Sequence, residues 1–453
     1  ALRDVTILGG EFIAHGQTSR ANGIGGVYFT YSKNCRVIGA KFRGFWFKGV
    51  KFTYCTDVSV DSVHTSDPAA VGGGEGYNIQ FEYCTNFQAN EVTSNLCRHN
   101  VDITASGVGT ISNSRSRSSA GSGFNLHEAG EYLIKFIDCH SIDDVSGFAF
   151  GIASGNFGDT SNYLTVRDCS AIGYSNSALS WVNNGSGLTV DGFIASGGTN
   201  PNAGTFKISS SNAYVSRLDL VGTLDIYPPK DLTANNVTFR DSKLRGISAE
   251  GHNRVLINRS TVTFEDCTIL GRWTMLEGAQ TYGTRVTIDS QATPPFTYVG
   301  NGPFPLVLRD SKVLSEGSGQ LSMPSNTTLE DVEFNIGGRH VYPLCVFEVR
   351  GRCPGLIVTV NSQFNSKFVD VTGVVRISIG ANQTGLLTVS GVVGSIVEEG
   401  ASGYPVQIHN VIANISLSIP NAGRGHIVNN RSGGSLDLPS ASPTRVVSGN
   451  FSI

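Results

Sequence analysis

The stretch FEYCTNFQANEVTSNLCRHNVDI, Phe81 to Ile103, decides how the chain is read. It opens as an alternating strand, passes Cys84, and ends with Arg98, His99 and Asp102 within five residues. Its first half recurs: FTYCTDVSVDSV, KFIDCHSIDDV, LTVRDCSAIGY, VTFRDSKLRGI, VTFEDCTILGR and LVLRDSKVLS carry the same strand phrase around a Cys or Ser. Aligned with weaker copies, these phrases place Cys35, Cys55, Cys84, Asn113, Cys139, Cys169, Gly192, Asp219, Ser242, Cys267, Ser290, Ser311 and Val332 at one repeated position, 20 to 30 residues apart.

A unit of that length with one strand phrase cannot bury its apolar face alone, so its copies must stack as a solenoid. The alternating phrases do not fit helical repeats, and the Leu-rich, Asn-anchored pattern of leucine-rich repeats is missing. The expected fold is therefore all-β, a parallel β-helix of about 12 to 13 rungs over residues 1–337, with equivalent residues stacked about 4.8 Å apart. Small side chains at the repeated position suit an inward ladder at a tight corner, so the nine cysteines read as buried thiols rather than a disulfide framework. Past Val332 the phrase fades. Residues 338–453 stay strand-like (CVFEVRG, GLIVTVN, VVRISIG) without a matching period, and read as a separate, smaller β-rich domain for trimerisation or carbohydrate binding.

The composition agrees: 55 Gly, 2 Met and 15% charged residues are a strand-and-turn signature. A net charge of -3 with no basic block argues against nucleic acid or an anionic membrane as the main partner. No apolar run reaches membrane-span length, and ALRDVTILGG lacks the regions of a signal peptide, so a soluble chain is expected. It opens at Ala1 inside a strand, which suggests an upstream segment.

Four of the five longest spacings run consecutively from Cys55 to Cys169, so the loops that wall a groove are expected there. In that region His99 lies 15 residues past Cys84 and Glu128 lies 15 past Asn113, while Arg98 and His127 share offset 14. The shared offsets predict that these pairs stack on adjacent rungs, gathering a cation, two imidazoles and a carboxylate into one catalytic constellation. Alternation puts one offset outward and the other inward, and leaves open which. Glu75 in VGGGEGYNI, with Tyr77, is placed above the same face as a substrate contact. Asp102 reads as a turn residue with orientation of a histidine as its alternative role; Asp143 and Asp144 read as turn caps near the substrate. Trp46, Trp181 and Trp273 are candidate sugar platforms or packing residues. GGGEG lacks the GK[ST] of a phosphate loop, and the histidine spacing gives no zinc set. No metal or cofactor is expected.

The phrases GYNIQFEYCTNFQANEVTSNLCRHNVDI, SGFNLHEAGEYLIKFIDC and GFAFGIASGNFG together resemble the pectate-lyase-like right-handed parallel β-helix group, and within it bacteriophage tailspikes that depolymerise bacterial surface polysaccharides. The resemblance covers about residues 1 to 337. The calcium aspartates of plant-type pectate lyases and the paired aspartates of polygalacturonases are not evident, so pectin is not implied. What is implied is a homotrimer on a virion tail, attached through an N-terminal segment, with endo-cleavage of a capsule, O-antigen or exopolysaccharide. Two chemistries stay open. Elimination would use Arg98 on a uronate carboxylate and His99 or His127 as base; hydrolysis would pair Glu128 with Glu75 or Asp102. The rivals are a glycan-binding spike without turnover, a structural adhesin, and a secreted β-helix enzyme such as an epimerase.

Overall fold

The structure, a computed structural model, describes residues 2–15, 19–127, 130–150, 162–182, 185–199, 205–209, 211–227, 236–245, 254–276, 278–290, 296–299, 305–315, 321–323, 326–336, 341–343, 346–361, 363, 365–392, 394–400, 403–413, 416–441 and 445–452. Among the described residues the sole helix is a single 3-10 turn, Arg20–Asn22, and none is long and apolar enough to cross a membrane. The chain divides into two compact units, Ala1–Arg254 and Val255–Ile453.

In the first unit each coil gives one strand to each of three parallel sheets, so the expected parallel β-helix is what forms. The first sheet carries Thr56–Asp61, Thr85–Asn90, Gly107–Ser112 and Tyr132–Ile137, hydrogen-bonded in that order. The second carries His64–Ser66, Thr93–Asn95, Arg115–Arg117 and His140–Ile142. The third carries Lys48–Thr53, Tyr77–Glu82, His99–Thr104, Ser122–Leu126 and Ser146–Phe150. Strand alternation sends every second side chain into the coil: Ile79 and Phe81, Val101 and Ile103, and Phe124 and Leu126 are fully or almost fully buried. Because rungs repeat in register, like side chains meet along the axis. Phe29, Phe52 and Phe81 stack with centroids 5.2 and 5.6 Å apart.

Two different corners use one device, and this corrects the single ladder expected from sequence. Between the first and second sheets a left-handed residue precedes a buried one, as in Asn113–Ser114, Asp138–Cys139 and Asp168–Cys169. Between the third and first sheets the same step is made by Tyr54–Cys55, Tyr83–Cys84 and Ala105–Ser106. Asp and Asn tolerate that backbone better than most L-residues, which is why the phrases recur. Cys84 is therefore level with Ser106, whose Oγ accepts a bond from the Cys84 N–H at 2.9 Å, and not with Asn113. Cys35 belongs to neither corner; it is level with Val58, as the pairing Arg36↔Ser59 requires. The eight described cysteines are buried free thiols, as expected.

Inside the second unit, Thr327–Glu330, Phe347–Arg352, Ser366–Thr372, Leu387–Ser390, Val406–His409, Gly425–Val428 and Arg445–Ser448 pair in parallel, each on the one before. The boundary drawn after residue 337 thus falls within unbroken stacking, and no separate architecture begins there. The phrase fades because the corners change composition. Gly391–Val392, Asn410–Val411 and Asn429–Asn430 take the left-handed step that Asp–Cys and Asp–Ser take earlier.

Candidate functional site

The site lies on the outward side of the third sheet, where alternation places one polar residue between two core residues on each rung. The triplets are Val50-Lys51-Phe52, Ile79-Gln80-Phe81, Val101-Asp102-Ile103 and Phe124-Asn125-Leu126. Their central residues are in register, Lys51 on Gln80, Gln80 on Asp102, and Asp102 on Asn125. The column is hydrogen-bonded along the axis. Gln80 Nε2 donates to Asp102 Oδ2 at 2.8 Å and Asn125 Nδ2 donates to Asp102 Oδ1 at 2.8 Å.

His127 directly follows the strand Ser122–Leu126, anchored by its N–H to Ile103 O at 3.0 Å. Its Nε2 donates to Asp102 Oδ1 at 2.8 Å; the Asp102 side chain has no exposure, and that of His127 is 33% exposed. Burial pushes the Asp102 carboxyl up, but the bond and charge of His127, with His99 and Asn125, hold it down at about 2. Burial likewise disfavours charge on His127, yet the hydrogen bond and charge of Asp102 outweigh it and raise its pKa above the ordinary imidazole value. A buried carboxylate fixing a half-exposed imidazole is a proton-transfer device whose tautomer and orientation are set.

His99 is different. It is 4% exposed, and its Nδ1 lies against the Ser122 backbone, 2.7 Å from Ser122 O and 3.1 Å from Ser122 N. Burial pushes its pKa down to about 4, so it is neutral near pH 7. The imidazoles of His99 and His127 stand 6.4 Å apart, edge to face. They converge as expected but by another register. His99 is level with Ser122, and the step between these rungs is 23 residues, not 29, so Arg98 does not stack on His127. Glu128 lies outside the described residues.

Two cations share one aromatic ring. Lys48 Nζ lies 4.9 Å and Arg98 Cζ 5.6 Å from the Tyr77 centroid. The loop of GGGEG holds both, Gly74 O accepting from Lys48 Nζ at 2.6 Å and Gly72 O from Arg98 Nη1 at 2.5 Å. Neither has a carboxylate partner among the described residues. Burial, and then Lys51, lower the Lys48 pKa. Tyr77 is 3% exposed and its hydroxyl is pushed up to about 12, chiefly by burial and then by the Asp102 charge. Glu75 pairs with Arg20 at 3.6 Å, and Glu82 with Lys51 at 2.6 Å.

Asp102, expected in a turn with orientation of a histidine as its alternative role, is a strand residue at the centre of this array and is bonded to His127. Asp143 is an exposed corner residue in the left-handed region. Asp144 is buried inside that corner, where its carboxylate accepts from Ser119 N–H and Ser141 Oγ at 2.6 Å each, so it braces the coil. Trp181 and Trp273 are fully buried and serve packing. Gln80, Asn125, Lys48, Lys51 and Glu82 escaped the sequence reading, although the apolar–polar–apolar triplets were there to align. No described group of three His, Cys, Asp or Glu is arranged to hold a metal ion.

No protein-family model matches the chain, and no curated protein does. Among solved structures it is similar to an exopolygalacturonase from Thermotoga maritima, at 12% identity over 89% of this chain and 84% of the other, with a TM-score of 0.30. It is similar to the A-module of a mannuronan C-5 epimerase from Azotobacter vinelandii, at 12% identity over 96% and 91%, with a TM-score of 0.24. An alginate lyase of the PL6 family matches at 8% identity over 99% and 97%, with a TM-score of 0.27. At these scores the chemistry has to be read from the residues themselves.

Proposed function

We propose that the chain is a polysaccharide lyase that cleaves a uronate-containing glycan within its length by β-elimination on the outward side of the third sheet. The observation that carries this is the 2.8 Å bond from His127 Nε2 to a fully buried Asp102 carboxylate. In this reading deprotonated His127 removes the proton beside the uronate carboxylate, and Lys48 and Arg98, cations without carboxylate partners among the described residues, stabilise the charge that builds there. Tyr77, kept protonated, stands beside both cations as a donor for the departing oxygen. Hydrolysis is less well supported by the described carboxyls beside the column. It needs one carboxyl held protonated, whereas of these Asp102 is held ionised and Glu75 and Glu82 are each ion-paired.

The resemblance to tailspikes extends the proposal: the glycan is a bacterial capsule, O-antigen or exopolysaccharide, and the chain works as a homotrimer on a virion tail at the cell surface. The test is incubation with alginate, polygalacturonate, hyaluronan and purified uronate-containing capsules, following chain length together with the ultraviolet absorbance of the unsaturated uronate end. Shortening with new absorbance is expected. Shortening with reducing ends alone makes it a hydrolase, and binding without shortening makes it a receptor spike.

A further inference from the structure

The corner between the third and first sheets carries three successive tyrosines where Asp, Asn or Gly would sit with least strain. Tyr31, Tyr54 and Tyr83 have φ of 50, 54 and 54°, and all are exposed, at 64, 48 and 48%. Their rings stack nearly parallel, with centroids 5.0 and 4.7 Å apart. None of this buries the rings in the core, so core packing does not account for tyrosine at a left-handed position.

The stack ends abruptly. The next residue at this corner is Ala105, level with Tyr83 because Tyr83 N–H bonds Thr104 O, and it has the same backbone, φ 47°. The one after is Gly130, level with Ala105 as the pairing Gly107↔Tyr132 requires, and a Cβ built there meets no atom of the described residues within 4 Å. One face of Tyr83 therefore looks over the Ala105 methyl group and then Gly130, where no ring among the described residues continues the stack, a step of about 4.8 Å for each ring left out. The step adjoins the candidate site: Ala105 lies three residues beyond Asp102, and Ile103, between them, receives the His127 N–H.

We infer that the uncovered face of Tyr83, above Ala105 and Gly130, is a subsite for a pyranose ring of the same glycan chain whose cleavage is proposed at His127. The apolar C–H face of a sugar and a flat exposed aromatic ring are complementary surfaces, and the missing ring leaves room for one. The inference rests on the lyase reading, and the tests below separate the two.

The test measures calorimetric binding of hexasaccharides of galacturonate, mannuronate and neutral glucose to the otherwise full chain carrying His127→Ala. An acidic hexasaccharide is expected to bind, and Tyr83→Ala to weaken it about tenfold, equal to about 1.4 kcal/mol, while Tyr83→Phe restores it. Ala105→Tyr, placing a fourth ring in a backbone conformation that three tyrosines already adopt, is expected to cover the face and weaken binding as much. Unchanged affinity in both Tyr83→Ala and Ala105→Tyr, with only the melting temperature altered, would make the ladder a structural stack and overturn the subsite while leaving the lyase reading intact. Should none of the hexasaccharides bind even before the tyrosine substitutions, both readings fall.

Discussion

Asp102 and His127 lie on adjacent rungs, yet a single 2.8 Å bond joins a carboxylate with no exposure to an imidazole that reaches solvent. The bond exists because Asp102 is the outward residue between Val101 and Ile103, while His127 comes just past the end of the next strand. Replacing Asp102 by Asn keeps the shape and removes the charge. We expect Asp102→Asn to lower the rate of unsaturated-uronate formation by on the order of 10² to 10⁴, the usual span of a general acid–base contribution. Asp102→Ala also leaves the Gln80 and Asn125 amide donors without their acceptor, so it should in addition lower the melting temperature, which the Asn variant should do less.

The pH dependence has opposite slopes from the two histidines. His127 has its folded pKa raised, so its stabilisation is full below the unfolded value of 6.5 and is lost as pH rises through the raised value. His99 has its folded pKa lowered to about 4, so between 6.5 and about 4 the unfolded chain takes up a proton that the folded chain refuses, and stability falls with acidification. That loss is roughly 3 kcal/mol if fully expressed. Denaturant melts from pH 4 to 8 should show His99→Gln flattening the acid side and His127→Gln the alkaline side. The same raised pKa places the rising limb of catalysis above the ordinary imidazole range, because the base must be deprotonated; a limb near pH 6 would argue against His127.

How far the sequence carries is clearest at Cys84 and Asn113. The repeat of strand phrases was enough to give the coil, since units of that length must stack to bury their apolar faces and the Leu and Asn pattern of leucine-rich repeats is missing. It was not enough to give the register, because Tyr83–Cys84 and Asn113–Ser114 make the same left-handed step at different corners. Local sequence records the step and not which corner it turns. The convergence of His99 and His127 is expected from shared offsets past Cys84 and Asn113, and the two imidazoles meet on adjacent rungs although that register is replaced by a 23-residue step. From sequence Asp102 carries orientation of a histidine only as an alternative to a turn, because a polar residue between Val101 and Ile103 declares its direction only once those two are known to face the core. Aligning the apolar–polar–apolar triplets instead yields the steps of 22 and 23 residues found between Gln80, Asp102 and Asn125. The strand stacking past residue 337 was missed for a similar reason, Gly–Val and Asn–Val replacing Asp–Cys without altering the turn.

Lys48 and Arg98 test the acidity of the substrate. Both flank Tyr77 and, among the described residues, hydrogen-bond to loop carbonyls and to no carboxylate, so their charge is available to a uronate. We expect Lys48→Met and Arg98→Met to raise KM for acidic polymers about tenfold each, on the scale of a charge-assisted hydrogen bond of about 1.5 kcal/mol or more. Added salt should weaken the wild type more than either variant. Equal losses on a neutral polymer would point to a positioning effect through the loop rather than recognition of a carboxylate.

The Asn78–Asn100 pair tests how the coil supports the site. Both amides are fully buried at the corner leading into the third sheet. Asn78 Nδ2 donates to Asn100 Oδ1 at 2.7 Å and to Thr93 O at 3.0 Å, while Asn78 Oδ1 accepts from Thr65 Oγ1 at 2.6 Å. Asn100 Nδ2 in turn donates to Arg115 O at 3.0 Å. These bonds tie the third sheet to carbonyls of the second-sheet strands Thr93–Asn95 and Arg115–Arg117, and Asn100 stands two residues before Asp102. Asn100→Leu fills a similar volume but removes the bond from Asn78 Nδ2 to Asn100 Oδ1 and those from Asn100 Nδ2 to Val92 O and Arg115 O, buried hydrogen bonds worth about 0.5 to 1.5 kcal/mol each. We expect a lowered denaturation midpoint and a loss of kcat larger than the change in KM, because a shift of the strand His99–Thr104 moves Asp102 away from His127 before it disturbs Lys48. A stability loss with kcat unchanged would show that the dyad is held by Gln80 and Asn125 alone, independently of the corner.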